Sequence, residues 1–447
     1  MASTYLSRTF GSAGNQKTWT WSAWIKRSKL STNQVMFANY TSGSIRQYIS
    51  FNTNNQLFMY GQVSGTDKVQ CNTTRVFRDT NAWYHIVVAQ DTTQGTGSNR
   101  MKLYVNGVQE TLSFTTTPSQ NDDISINDNG LHLIGAEDNA GNSTFDGSMS
   151  HVHFIDGTAL APTAFGETDT TTGEWEAKTS PSVTYGTNGF FILKDGNSVT
   201  DQSGNGNNFT VAGGTLTDLK DNPENVFATM NPLQHSDSGQ TLSNGNLTAT
   251  NSGSFSITNS STICNNIGKY YAECKIQSIG DSDTGIIIGF INVDKESFQN
   301  IASTDYYPGD KPYGAGWYSA NGSVYINQSG VLSLNSFTTG DVLQFAMDLD
   351  NGYFYFGKNG TWQNSANPTS GSTGTGGLAL SSMGSSGDTF TFGSSTKNNA
   401  ITNYNFGNGY FGTTAVSSAG TNASNNGIFE YDVPTGYTAL STKGLNL

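Results

Sequence analysis

Short runs of alternating apolar and polar residues, separated by turn residues, fill almost the entire sequence. The run TWTWSAWIKR, at residues 18–27, is typical, because alternation places Trp19, Trp21 and Ala23 on one face. Apolar residues repeating every three or four positions, the pattern of an amphipathic helix, are almost absent. Several short strands at this spacing predict an all-β protein built from sandwiches or jelly rolls.

The composition indicates a folded chain of two domains. With 447 residues, the chain is long enough for two domains of ordinary size. Only 12% of its residues are charged, against roughly 25% in a typical soluble protein, so disorder is an alternative. The 20 Tyr, 25 Phe and 7 Trp argue against disorder, since they supply enough apolar volume for two cores.

The charge balance limits the classes of partner. A formal net charge of −13, with 21 Lys and Arg spread thinly, would be repelled by phosphate backbones, which excludes nucleic acid as an expected partner. No apolar run approaches the length of a membrane span, and the opening MASTYLSRTF does not have the pattern of a secretory signal. We therefore expect neither a membrane anchor nor export by a signal peptide.

Three cysteines indicate assembly in a reducing cytoplasm. Cys71, Cys264 and Cys274 cannot all pair, and their spacing is not that of a zinc site. Alternation in YYAECKIQS places Cys274 beside Ala272 and Ile276, which predicts a buried free thiol. A disulfide between Cys264 and Cys274 is the alternative.

The N-terminal third carries a recognisable order of motifs. These are WTWSAWIKR, then NAWYHIVVA, MKLYVNGVQ and GSMSHVHFID. Together they resemble the laminin-G-like branch of concanavalin-A-like proteins over residues 1–165. The resemblance implies a β-sandwich that binds glycans or proteins, in some members through calcium.

The remaining two thirds divide in two. Residues 166–230 are acidic and turn-rich. We interpret them as a brace that carries the closing strand of the first sandwich and ends in a linker. Within the brace, EWEAK is interpreted as a possible site of a short helix. Residues 231–447 contain MDLDNGYFYFGKNGTW, which resembles the central hairpin of SPRY domains. SPRY domains are interaction modules, so the resemblance implies a second jelly roll of the concanavalin-A-like class without catalytic activity.

Three further segments are similar to virion-associated proteins of marine tailed phages that combine these two modules. They are the opening MASTYLSRTF, the middle DNPENVFATMNPL and the ending IFEYDVPTGYTALSTKGL. The resemblance implies a structural component of a phage particle, as a capsid decoration, a tail fibre or another tail appendage.

Two groups of residues are candidate binding sites. In the loop EDNAGNSTFDG, the carboxylates Asp138 and Asp146 offer calcium the oxygen ligands that it accepts, although Asn- and Asp-rich turns are ordinary in sandwiches. In STDYYPGDKPYG, Tyr306, Tyr307 and Tyr313 can stack on sugar rings or anchor a protein interface. The alternative is that these tyrosines lie flat over the edge of the sandwich.

The sequence does not predict a catalytic centre. Sandwich glucanases need a strand with three carboxylates, and GETDTTTGEWE supplies Glu167 and Asp169 but places Thr172 where the third should be. His151 and His153 share a strand face and are interpreted as solvated rather than as metal ligands. His85 is interpreted as a half-buried strand residue with a hydrogen-bond partner.

These observations combine into one hypothesis. The protein is a non-enzymatic, all-β chain of two tandem jelly-roll sandwiches, assembled in the host cytoplasm and displayed on the virion surface as a homo-oligomer. Its expected partners are other virion proteins and host surface glycans, and it needs no cofactor unless calcium binds at Asp138 and Asp146. The alternatives are a polysaccharide-degrading enzyme of the same fold and a free secreted lectin.

Overall fold

A computed structural model describes residues 4–178, 180–194, 198–233, 239–253, 256–259, 262–281, 285–295 and 307–446. Contacts divide the chain into two compact units, and the division falls between residues 218 and 225. We call these units the first and the second sandwich. The regular structure of the described residues is β-strand, apart from 3-10 turns at Gly97–Asn99, Pro162–Ala164, Gly371–Thr373, Leu380–Ser382 and Gly444–Asn446.

In the first sandwich, the described residues form sixteen strands. They are β1 (Tyr5–Thr9), β2 (Thr18–Arg27), β3 (Gln34–Ser42), β4 (Ile45–Phe51), β5 (Leu57–Val63), β6 (Thr66–Thr73), β7 (Trp83–Asp91), β8 (Met101–Val105), β9 (Val108–Gln109), β10 (Leu112–Thr116), β11 (Leu131–Ile134), β12 (Gly147–Asp156), β13 (Gly166–Thr168), β14 (Trp175–Ala177), β15 (Phe190–Ile192) and β16 (Thr210–Gly213).

Two antiparallel sheets face each other in this unit. The large sheet has the order β10-β6-β5-β4-β3-β11-β1-β16, and the small sheet has the order β15-β12-β2-β7-β8-β9. The side chains between them form the core, in which Trp21 of the small sheet stacks on Phe37 of the large sheet with ring centroids 6.1 Å apart. Trp19 and Ala23 lie in the same core, as the alternation in β2 predicts.

The predicted hairpin at Asn106 and Gly107 is confirmed. Both residues have positive φ, 48° and 79°, as a type I′ turn requires. This turn joins β8 to β9 with Val105 opposite Val108. The turn around Asn52–Asn55 likewise joins β4 to β5, with Phe51 opposite Leu57.

Seventeen more strands are described in the second sandwich. They are β17 (Gln240–Ser243), β18 (Thr248–Asn251), β19 (Ser256–Asn259), β20 (Lys269–Ser278), β21 (Ile286–Asn292), β22 (Gly314–Tyr318), β23 (Ser323–Ile326), β24 (Ser329–Ser333), β25 (Val342–Asp348), β26 (Tyr353–Lys358), β27 (Thr361–Trp362), β28 (Leu378–Ala379), β29 (Phe390–Thr396), β30 (Ala400–Asn405), β31 (Tyr410–Phe411), β32 (Thr414–Ala415) and β33 (Thr438–Ala439).

Fifteen of these strands form two sheets around one core, and β31 pairs with β32 in a separate two-stranded sheet. A nine-stranded sheet has the order β17-β18-β30-β20-β25-β26-β27, with β28 beside β26 and β33 beside β20. The opposing sheet has the order β19-β29-β21-β22-β23-β24. Phe290, Trp317 and Phe345 fill the space between them, so the prediction that Trp317 belongs to the core is confirmed. Cys274 is a buried free thiol in this core, and Cys264 is exposed and free.

Residues 166–230, interpreted from the sequence as a brace with the closing strand of the first sandwich, contribute to both units. Strands β15 and β16 lie within residues 166–230, and they pair with β12 and β1 of the first sandwich. Ala228 and Met230, in contrast, pack in the core of the second sandwich. The first unit therefore extends well past residue 165 and the second begins before residue 231. EWEAK contributes the strand β14 and not a short helix.

In each unit, one sheet is covered on its outer side by a later chain segment. Residues 160–185 cover the small sheet of the first sandwich, where Val87, Ile155 and Phe165 are buried. Residues 429–439 cover the nine-stranded sheet of the second sandwich, where Phe429, Val433 and Tyr437 pack on the strands. The outer side of the large sheet differs, because it retains half-exposed rings.

Candidate functional site

Four aromatic side chains project from the outer side of the large sheet, and we call them the aromatic face: Tyr40, Tyr48, Phe58 and Tyr60. Alternation fixes their direction. Ile49 and Met59 point into the core, so their neighbours Tyr48, Phe58 and Tyr60 must point outward. All four rings are half-exposed. The sheet thus presents aromatic surface on the side that faces away from its own core.

The strand register brings these rings together. Tyr48 on β4 lies directly opposite Tyr60 on β5, and their ring centroids are 5.5 Å apart. The ring of Phe58 lies 6.3 Å from that of Tyr48. Tyr40 on β3 lies opposite Arg46 and completes the group. The rings of Tyr48, Phe58 and Tyr60 thus form a contiguous group on β4 and β5, and Tyr40 lies on the neighbouring strand β3.

The charged groups beside the aromatic face compensate each other. Arg46 forms an ion pair with Glu137, with Nη1 2.6 Å from Oε1. The same guanidinium lies over the Tyr60 ring, 5.5 Å from its centroid. The Tyr60 hydroxyl donates to Asp67 at 2.6 Å. Arg46 therefore serves to hold the loop at Glu137 and the Tyr60 ring in place, and it is not a free cation.

The phenol groups of Tyr48 and Tyr60 remain protonated under ordinary conditions. Burial raises the pKa of Tyr48 to about 12, and the nearby Glu137 carboxylate adds to this effect. The pKa of Tyr60 is also raised, first by burial and then by its hydrogen bond to Asp67. Both side chains are neutral hydrogen-bonding groups at physiological pH.

The calcium loop inferred from the sequence lies beside this face. It begins after Glu137, and Tyr5 on β1 donates its hydroxyl to the carbonyl of Asn139 at 2.9 Å. The carboxylate of Asp138 is engaged within the loop, because it accepts the amide N–H of Ala140 and Asn142 and the side-chain amide of Asn142.

The second proposed ligand, Asp146, is half-buried, and burial raises the pKa of its carboxyl group. Among the described residues, no group of three or more His, Cys, Asp and Glu side chains is placed to hold a metal ion. Calcium binding at Asp138 and Asp146 stays a prediction.

The tyrosines predicted as a binding site lie in the second sandwich, on a chain segment before β22. Tyr306 lies outside the described residues. Tyr307 is half-buried, and its carbonyl accepts the amide of Asp310 at 2.9 Å. Tyr313 is 38% exposed, which makes it one of the more exposed large apolar side chains described. Ligand binding at these three tyrosines stays a prediction.

The carboxylates considered for catalysis lie on an exposed hairpin. Glu167 on β13 is directly opposite Glu176 on β14, and both are exposed, as is Glu174. Lys178 approaches Glu167 at 3.8 Å. The other side of this hairpin carries Trp175, which packs onto the small sheet. The hairpin therefore serves as a covering element, with its carboxylates in solvent.

One nucleophile and base pair escaped the sequence analysis. Ser22 on β2 and His85 on β7 are fully buried, and Oγ of Ser22 lies 2.8 Å from Nε2 of His85. Trp175 donates its indole N–H to Nδ1 of His85 at 2.9 Å. Because Nδ1 accepts this bond, the proton of the neutral imidazole resides on Nε2 and is donated to Ser22.

This arrangement is the reverse of an activated serine, in which the imidazole must accept the hydroxyl proton. Burial also lowers the pKa of His85 to about 3, so the ring stays neutral. A Cβ at Gly107 would lie 2.7 Å from the Trp175 ring, so the glycine in the β8 to β9 turn makes room for this cover. The prediction of a half-buried His85 is wrong in degree, because the hairpin buries it completely.

The interpretation of His153 as solvated is also wrong. Its ring is 1% exposed, stacks on Phe191 at 3.9 Å and contacts the Tyr185 hydroxyl at 3.0 Å. A register shift between Ser150 and His153 disturbs the simple alternation, and His151 has a φ of 50°. The sequence did not show that a later segment of the chain covers the small sheet, and His153 was interpreted as solvated for that reason.

The aromatic face itself could have been found from the sequence. The two strands around Asn52–Asn55 were identified, and their apolar phase is set by Ile49, Phe51, Leu57 and Met59. Aromatic residues in the opposite phase, at Tyr48, Phe58 and Tyr60, were the available signal. The sequence could not show whether another segment covers them.

Comparison with known proteins supports the fold. Residues 2–164 match the family model of the concanavalin A-like lectin/glucanases superfamily. A search of curated proteins finds no match to the chain. No helix in the described part of the chain is both long and apolar enough to cross a bilayer.

Similar solved structures include SPRY domains, a pentraxin and a domain of an arabinanase. The SPRY domain of human HERC1 is 17% identical, with a TM-score of 0.28, over 39% of this chain and 96% of that domain. A heptameric SAP-like pentraxin from Limulus polyphemus is 17% identical, with a TM-score of 0.26, over 36% of this chain and 72% of the pentraxin.

Domain 4 of AbnA, a GH43 extracellular arabinanase from Geobacillus stearothermophilus, is 19% identical, with a TM-score of 0.24. The match covers 34% of this chain and 65% of that domain. The family match shows that the first part of the chain is similar to a superfamily whose description includes lectins and glucanases, and the described part of the chain is a nearly all-β protein of jelly-roll sandwiches.

Proposed function

We propose that the protein is a non-enzymatic interaction protein displayed on the surface of a phage particle, where it binds host glycans or neighbouring virion proteins. The observation that carries the binding role is the aromatic face, because half-exposed rings with adjacent hydrogen-bonding groups are typical of recognition surfaces. Support for the particle comes from the sequence. Its modules, opening, middle and ending are similar to virion-associated proteins of tailed phages.

The surface chemistry agrees with display outside a cell. Few residues are charged, the net charge is −13, and Ser, Thr and Asn side chains fill many turns. Such a surface stays soluble in salt and repels nucleic acid, including the genome packaged inside a particle. We expect several copies, joined to each other or to other virion proteins over an interface of about 1,000 Å² or more.

A polysaccharide-degrading enzyme is the alternative from another functional class. Two features argue against it. Glu167 and Glu176 are exposed to solvent on a two-stranded hairpin, and His85 donates to Ser22 and does not accept from it. A hydrolase needs carboxylates held at a defined separation around a bound sugar.

Mass spectrometry of purified particles tests the location. We expect the chain among the particle proteins in a fixed ratio to the capsid protein, and an antibody against it should bind intact particles. If the chain occurs only in the soluble fraction of infected cells or in the medium, the virion assignment fails and a free lectin becomes the better interpretation.

A reducing-end assay tests the absence of catalysis. Incubation of the protein with envelope polysaccharide of the host should release no new reducing ends. The matched variants Glu167→Gln and Glu176→Gln should behave like the wild type. Release by the wild type that either substitution abolishes would overturn the non-enzymatic assignment.

A further inference from the structure

We infer that the aromatic face of the first sandwich binds an uncharged polysaccharide, with successive sugar rings lying on the rings of Tyr40, Tyr48, Phe58 and Tyr60. This inference rests on the interaction role proposed above and adds to it a site and a ligand class. It concerns a different surface from the tyrosines at 307 and 313.

The first argument is the geometry of the rings. Tyr48 lies 5.5 Å from Tyr60 and 6.3 Å from Phe58, so the group is long enough for more than one sugar ring. The C–H groups on one side of a pyranose ring carry a small positive charge, and the face of an aromatic ring is negative. A polysaccharide chain can therefore pass from one aromatic ring to the next across the strands.

The second argument is the set of hydrogen-bonding groups that are left available. The hydroxyls of Tyr40 and Tyr48 and the side-chain amide of Gln70 form no hydrogen bond with another described residue, and all three residues are half-exposed. Gln70 on β6 lies opposite Tyr60, at the edge of the group. Hydroxyl and amide groups both donate and accept, as sugar hydroxyls do.

The third argument is charge, and it selects an uncharged ligand. The cations near the face are already paired: Arg46 with Glu137 at 2.6 Å, and Lys68 with Asp122 at 3.2 Å. Asp67 adds a carboxylate whose only described partners are the neutral Tyr60 and Gln62. A polyanion such as a sulfated or uronic acid polymer would meet no free cation and would be repelled.

The fourth argument separates a sugar from a protein partner. The aliphatic side chains on this side of the sheet, Val35, Ala38, Leu133 and Ala136, are already buried beneath the tyrosine rings and Leu131. The accessible surface of the aromatic face consists of aromatic rings and the hydroxyl groups of its tyrosines. A stable protein interface needs a larger apolar centre that is fully excluded from water.

Affinity electrophoresis of the full-length protein tests this inference. Native gels should contain, one at a time, soluble neutral polysaccharides (hydroxyethyl cellulose, galactomannan, dextran and laminarin) or an acidic one (alginate). We expect retardation by at least one neutral polymer and none by alginate, and the retardation should persist in EDTA. Binding to alginate alone would overturn the charge argument, and no retardation by any neutral polymer would overturn the inference.

Variants locate the site. Phe58→Ala and Tyr60→Ala should each weaken binding about three- to tenfold, and the double variant by more, because each removes one stacking ring. Tyr48→Phe keeps the ring and should retain most of the affinity. Val331→Ala is the control, since it removes an exposed apolar side chain of the second sandwich that belongs to no candidate site.

Each outcome has one meaning. Circular dichroism and thermal unfolding must match the wild type for a loss of binding to count, and Tyr48→Phe and Phe58→Ala guard against a single misfolded variant. Retardation that is unchanged in the double variant would place the sugar site elsewhere and overturn this inference. Loss of self-association in the double variant, without any sugar binding, would assign the face to a protein partner. Neither of these two results shows whether particles contain the chain. The virion location is tested separately, by mass spectrometry of purified particles.

Discussion

The two sandwiches differ in whether the outer side of a large sheet is covered by another segment of the chain. In the second, the outward residues Tyr271, Ala346 and Tyr355 are buried under the C-terminal segment. In the first, the outward residues Tyr48 and Tyr60 stay half-exposed. An aromatic residue in the outward phase of a strand thus belongs either to a covered layer or to an accessible surface. The difference is decided by a segment that is distant in sequence.

A buried carboxylate holds the covering segment of the second sandwich. Glu273 on β20 is 1% exposed and accepts the backbone N–H groups of Glu430 and Tyr431, each at 2.8 Å. The Tyr271 hydroxyl donates to it at 3.0 Å and the Asn405 amide at 3.3 Å. Beside the aromatic face, in contrast, Arg46 and Glu137 tie down only a short loop.

Removal of this carboxylate should convert the covered sheet into an open one. Glu273→Ala leaves the partly buried N–H groups of Glu430 and Tyr431 without an acceptor, so we expect a loss of about 3–5 kcal/mol in the stability of the segment. Hydrogen exchange followed by mass spectrometry should show faster exchange at residues 427–433. Glu176→Ala, which removes an exposed carboxylate from the first sandwich, is the control and should change nothing there. Equal exchange in both variants would show that packing alone holds the cover.

The same carboxylate should make the cover sensitive to pH. Burial raises the pKa of Glu273 to about 7 from 4.5, although its hydrogen bonds partly oppose this. A raised folded-state pKa contributes stability that is complete below pH 4.5 and is lost as pH rises to about 7.

We expect this contribution to be about 3 kcal/mol, since one pKa unit corresponds to about 1.4 kcal/mol. Hydrogen exchange at residues 427–433, corrected for the intrinsic rate, should increase between pH 5 and pH 8 in the wild type. Glu273→Gln cannot ionise and should flatten the profile. A profile in Glu273→Gln as steep as in the wild type would assign the dependence to other groups.

The sequence predicts the fold far better than it predicts which faces are covered. Alternation assigns Trp19, Trp21, Trp317 and Cys274 to cores correctly, because inward and outward phases follow from period two within one strand. It fails at His153, because Tyr185 and Phe191 reach that ring from a segment more than thirty residues later. The aromatic face was missed for the same reason. The sequence shows that these aromatic residues point away from the core, but their exposure depends on where distant segments of the chain pack.

The hairpin of β13 and β14 covers the small sheet of the first sandwich, so the effect of removing a cover can also be measured there. Trp175→Ala removes the indole that covers His85, and we expect a loss of about 2 kcal/mol in the stability of the unit. Solvent would then reach His85, so its pKa should rise from about 3 toward the ordinary value. Nuclear magnetic resonance titration of the imidazole signals measures this shift. His132, buried elsewhere with a pKa of about 3, is the internal control. A His85 signal that stays unchanged would mean that other residues provide the cover.

The smallest effect is expected at the aromatic face. Tyr60→Ala removes a ring that contacts Tyr48 on one side and lies under Arg46 on another. Both contacts are at a half-exposed site, so the loss in unfolding free energy should be less than about 1 kcal/mol. Thermal and urea unfolding of the first sandwich measure it, with Phe58→Ala as a second half-exposed ring. A loss as large as that of Trp175→Ala would show that Tyr60 is a packed member of a covered layer. A small loss in unfolding free energy together with weakened polysaccharide retardation would mean that the Tyr60 ring contributes to binding and little to folding. This property would distinguish the large sheet of the first sandwich from the covered nine-stranded sheet of the second.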